Sequence, residues 1–69
     1  MTEKQKKAAI SKLRTFYLMV DVMANKFGVA SKQHSRALAM FYGACDMIQA
    51  LYGEDVEKEL REKAVITTY

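Results

Sequence analysis

The sequence predicts an all-α fold: an antiparallel hairpin of two long helices plus a short third helix, assembled as a dimer or helical bundle. Three observations lead there. Apolar residues recur at steps of three and four over two long stretches, which is the period of an amphipathic helix. The chain contains no proline, and its three glycines, Gly28, Gly43 and Gly53, leave it little punctuation. Finally, 51% of the residues are hydrophobic and 28% charged, the balance of a folded domain and not of a disordered tail. Residues 1–69 are read as a single helical domain, with helices over about 3–27, 31–52 and 54–64.

The first helix opens with Thr2 and Gln5, the signature of a capping box, and Gly28 suits a left-handed position just past its end. Ala9, Leu13, Phe16, Val20, Met23 and Phe27 form its core stripe, widened by Ile10, Tyr17 and Ala24. Val29 and Ala30 make a short connection, and Ser31 is suited to cap the second helix. That helix runs to Tyr52, with a stripe of His34, Ala37, Phe41, Ala44, Ile48 and Leu51, widened by Leu38, Cys45 and Tyr52. The third helix carries Glu54, Asp55 and Glu57 at the positive end of its dipole and Arg61 and Lys63 near the other end. Its apolar stripe is thin: Val56, Leu60 and Ala64. The tail Val65 to Tyr69 is β-branched and ambiguous, suited either to fraying or to pairing.

A chain of 69 residues buries only about 60% of the surface its unfolded form exposes, so its core is marginal. Disulfides, metals and oligomerisation are the usual supplements. One cysteine, Cys45, excludes an intrachain disulfide, and one histidine, His34, leaves no cluster of soft metal ligands. Oligomerisation or a permanent partner is left. The longest apolar run, Ala37 to Cys45, is far short of the roughly 20 residues a membrane span needs. With no secretory signal pattern and a thiol in the core stripe, a cytoplasmic setting is expected.

Charge divides the chain. Residues 1–36 hold eight Lys or Arg against two acids, and residues 37–69 hold three against six, so a net +3 splits into +6 and −3. A basic first half suits a nucleic-acid surface, an acidic protein partner, or a plainly solvated helix face.

Side chains that the core stripes leave over are the most informative. On the first helix these are Leu18, Met19 and Val22; on the second, Ala39, Met40, Gly43, Met47 and Ala50, with Tyr42 and Asp46 beside them. Leaving the larger ones exposed forgoes roughly 1.5–3 kcal/mol of burial each, a large sum beside the roughly 5–15 kcal/mol of a domain's net stability. The third helix is too thin to cover them. An interior glycine costs about 1 kcal/mol against alanine, so Gly43 is expected to have a packing reason, and methionines adapt to a partner's shape. Leu18, Met19, Val22, Ala39, Met40, Tyr42, Gly43, Asp46 and Met47 are therefore the predicted partner-binding residues, for another protein or a second copy of the chain.

Nothing in the sequence predicts catalysis, a cofactor, a small-molecule substrate or a metal. His34 and Cys45 lie on one helix about 16 Å apart along its axis, too far to form a nucleophile pair. Asp21 and Asp46 sit on different helices with no cleft signal. Phosphate loops, zinc spacings and serine elbows are missing.

Two segments carry resemblances. Ala24, Gly28, Val29, Ser35 and Arg36 resemble a helix-turn-helix signature, which implies that Lys32, Gln33, Ser35 and Arg36 start a DNA-reading helix. The stretch Leu38-Ala39-Met40-Phe41-Tyr42-Gly43-Ala44-Cys45-Asp46 resembles a motif of the Hha/YmoA family of small regulators. That family's helical domain binds the nucleoid protein H-NS and modulates transcription, so the resemblance implies a non-enzymatic regulator in which Asp46 is an interaction residue. The family's Pro- and Trp-containing C-terminal segment has no counterpart here.

Overall fold

Thr2 begins the structure as its sequence suggests: its hydroxyl accepts from the Gln5 N–H at 3.1 Å while its own N–H donates to the Gln5 side chain at 2.9 Å. Two otherwise orphaned donors are thereby satisfied, and helix α1 follows over Glu3–Phe27. The computed structural model describes residues 1–66, of which Ile66 by its backbone alone. Among them are two more helices, α2 over Lys32–Tyr52 and α3 over Glu54–Ile66, and no strand. Ser31 caps α2 through its side chain, which accepts from the His34 N–H at 3.1 Å.

Helix α3 is longer than the expected 54–64, because Val65 and Ile66 continue the last turn behind Ala64, which is wholly buried. The remainder of the ambiguous tail, residues 67–69, lies outside the described residues.

Both corners are glycines, and Gly28 does not take the left-handed cap expected of it. Gly28 has φ 92° and ψ 154°, and Gly53 φ 96° and ψ 163°. The left-handed cap needs a small positive ψ, which folds the chain back over the helix end; here ψ is extended. The cap N–H of each still closes a last helical bond, to Ala24 O and Gln49 O. After Gly28 the chain turns through Val29 and Ala30, where the Ser31 N–H donates to Gly28 O at 3.2 Å, and after Gly53 helix α3 begins at once. This region of backbone space is open essentially to glycine alone.

The three helices pack pairwise against one another around a small core of Leu13, Phe41, Cys45, Leu60 and Ala64. Leu13 is 1% exposed and Leu60 0%. Phe41 is wedged beside Tyr17 of α1, ring centroids 5.7 Å apart and tilted by 59°, and Tyr42 meets it edge-on at 5.6 Å. Such pairs add about 0.5–1.5 kcal/mol to the burial itself.

Three residues assigned to the core stripes, Phe27, Leu51 and Tyr52, are exposed, Leu51 by 69%, and Met23, Ala24, His34 and Leu38 are half-buried outside the core cluster. The exposed three occupy the last turns of α1 and α2, where periodicity continues but the neighbouring helices no longer cover the stripe.

One charged residue is buried that the sequence reading placed at the dipole end of α3. Glu57, 5% exposed, sits within 3.2 Å of Arg61 Nε one turn on. The Cys45 thiol of α2 lies within the reach of its charge. Burial, and then the negative charge of Glu57, pushes that thiol up from its ordinary 9.0 to about 11. On the surface, Glu59 bonds Lys63 at 3.1 Å and lies 3.6 Å from Lys6, tying α3 to the first turn of α1. The Lys63 hydrogen bond, then the Lys6 charge, holds this carboxyl below its usual range. Exposed pairs of this kind contribute little to stability.

Two predictions follow from this core. Leu60→Ala should cost about 2–5 kcal/mol in a denaturant melt, and Leu18→Ala at an exposed position less than about 0.5 kcal/mol. The folded thiol holds its proton to higher pH than the unfolded one, so its contribution is complete below about pH 9 and is lost as pH rises towards 11. Wild type should therefore lose stability relative to Cys45→Ala across that window, by up to about 1.4 kcal/mol per pH unit. Equal slopes for the two proteins would show that the thiol ionises freely.

Candidate functional site

At about 100° per residue, a helix that points Leu13 or Phe41 into the core turns its other residues to predictable flanks. On one side of α2, Cys45 meets Glu57 of α3, and that flank is covered. On the opposite side no helix of the described residues lies. There Met19 and Met23 of α1 and Lys32, Gln33, Arg36, Ala37 and Met40 of α2 line an open groove of about 330 Å³.

The floor of the groove is apolar and adaptable. Three methionines meet in it, and thioether side chains are flexible and polarizable enough to follow the shape of what they touch. Its rim is basic, with Lys32 and Arg36 both exposed. By the same angular count, Met47 and Leu51 extend the apolar line along α2 beyond the groove, at 65% and 69% exposure. On α1, Phe16 extends it and Lys12 borders it. Gly43 borders this line. A Cβ built there meets nothing within 4 Å, so the expected packing reason for this glycine does not exist inside the chain.

All nine predicted partner-binding residues are exposed or half-buried, but they do not form one surface. Met19 and Met40 meet in the groove. Gly43 and Met47 lie beside the continuation of its line. Leu18 and Val22, exposed by 43% and 52%, turn to the back of α1. Ala39, Tyr42 and Asp46 fall towards the other side of α2, and Tyr42 is held there against Phe41. Two faces per helix was too coarse a division, because the flanks between core and back had no place in it.

Lys32, Gln33 and Arg36, which the helix-turn-helix resemblance singled out, share the groove with Met19 and Met40. Two sets of residues read separately are thus parts of one place. Ser35, also exposed, is not among its lining residues. Met23 and Ala37 were assigned wholly to the core, yet each also contributes to the groove. Their angular position near the edge of the core stripe was the available signal.

Candidate chemistry elsewhere is sparse. His34 is half-buried at the start of α2, while Cys45 is buried in the core and protonated. A thiol held so far above neutral pH is a poor nucleophile. Among the described residues no group of three or more His, Cys, Asp or Glu is placed to hold a metal ion. No helix of the described residues is long and apolar enough to cross a membrane.

A scan against protein-family models gives no match, and searches of curated proteins and of solved structures give none either.

Proposed function

We propose that this chain is a small, non-enzymatic adaptor or regulatory protein that acts by binding another protein on the flank of α1 and α2 left uncovered by α3. The reading rests on one observation above the others: Met40, Met47 and Leu51 stand exposed along one line of α2, continuous with a methionine-floored groove. A contiguous apolar line of this kind is the mark of an interaction surface.

In this reading α1 and α2 form an antiparallel hairpin. The pairing of Met19 and Met23 with residues 32–40, and of Tyr17 with Phe41, fits that register. The whole chain acts as one domain, and a second copy or a different protein covers the open flank. The reducing cytoplasm suits a protein whose single thiol is buried and unpaired. Modulation of gene expression, which the motif at residues 38–46 implies, is a role an adaptor of this kind can fill through its partner.

A second reading has its own support. Lys32, Gln33 and Arg36 gather at the start of α2, where a DNA-reading helix carries its base contacts. Duplex binding that weakens steeply with salt, and is abolished by Lys32→Ala with Arg36→Ala, would favour it.

Gly43 offers the sharpest test of the first reading. Because its Cβ direction is open, Gly43→Leu should fold normally and gain up to about 1 kcal/mol of helix stability. The same side chain would hold a partner helix away, so association in cells of the source organism should be lost, as it should for Met47→Glu. Circular dichroism checks the folding and affinity capture the association. A monomer by sedimentation at all concentrations, with nothing captured by the wild type, would overturn the proposal.

A further inference from the structure

We infer that the occupant of the open flank is an acidic amphipathic helix of a different protein, and not a second copy of this chain. The inference rests on the docking reading above and specifies its partner. Its basis is the sign of the charges around the apolar line. Lys12 on α1 and Lys32 and Arg36 on α2 border it. The acids of α1 and α2 are Glu3, Asp21 and Asp46, and the angular count puts all three on other sides of their helices. A surface with an apolar floor and an edge of one sign fits a partner whose apolar stripe is flanked by Asp or Glu.

A second copy does not meet that description. In a two-fold dimer the same patch faces itself, which would set Lys12, Lys32 and Arg36 against like charges. The acidic helix of this chain, α3, cannot enter another copy's groove with an apolar face either. Its apolar residues Leu60 and Ala64 are fully buried in their own core, and the buried carboxylate of Glu57 is paired with Arg61.

The shape of the flank selects a helix. Two packed helices with α3 on one side leave a long furrow on the other, the geometry into which an amphipathic helix lays its apolar face. At Gly43 the wall has no side chain, so a helix axis can come as near as the 8–10 Å typical of close packing.

The test is a displayed library of 20-residue helices panned against the full chain. Apolar anchors are fixed at helical spacing, and each flanking position encodes Glu or Lys in equal proportion. The expected pool is rich in Glu at the flanks. Its best peptide should bind at least tenfold more weakly once those Glu are changed to Lys, with the difference shrinking in 0.5 M salt. Lys32→Glu with Arg36→Glu should reverse the preference, and Met40→Glu should bind neither peptide while keeping its helical circular dichroism. Binders indifferent to flank charge would overturn the acidic partner and leave the docking surface standing. No binder, together with self-association that Met40→Glu abolishes, would assign the flank to a second copy. No binder, together with duplex DNA binding lost in the charge-reversed protein, would assign it to nucleic acid. A chain that binds no helix, no copy of itself and no DNA would overturn both this inference and the docking reading.

Discussion

The seating of α3 against one flank of the α1–α2 pair is the constraint on which everything else depends. Leu60 and Ala64 have no exposed surface at all, and they reach that state by sharing one core with Leu13, Phe41 and Cys45. A chain of this size has few large side chains to commit, and α3 brings only a narrow stripe. It can therefore close one flank and not both. The open groove is the geometric complement of the closed one: a helix thick enough to wrap the pair would have erased it.

The buried contact between Cys45 and Glu57 fixes where α3 sits. A carboxylate this enclosed is tolerable only with a partner, and the Arg61 guanidinium one turn on supplies it. Sliding α3 by one turn would carry Glu57 away from Cys45 and Leu60 out of its pocket. Polar and apolar contacts thus agree on one register, and that agreement favours a single native packing.

The helices, the N-caps of the first two and the central core residues were legible in the sequence because they follow from local rules. Thr2 and Gln5 announce a capping box within four residues, and Leu13, Phe41 and Leu60 lie at the centres of their stripes, where a small error in angle changes nothing. What could not be read depends on which neighbour arrives. Glu57 looked like a dipole residue, and only the approach of Cys45 makes it a core one. Leu51 obeys the period of its stripe yet lies past the reach of the helices that would cover it. The groove was half visible: Met19 and Met40 were singled out on one argument and Lys32, Gln33 and Arg36 on another, but periodicity within one helix cannot say which flank of its neighbour it will meet.

Both corners are held by glycines at φ 92° and 96° with extended ψ, a backbone state that other residues enter only at a cost of about 1–3 kcal/mol. The side chains of the open flank stand under no such restriction. Arg36, Met40 and Met47 contribute little to the core, so each can be exchanged at small cost to folding. If the open flank is the docking surface proposed above, architecture and recognition are encoded by nearly separate sets of residues, and a lineage carrying this domain can change the flank one side chain at a time while its scaffold stays fixed at two glycines and a handful of buried positions.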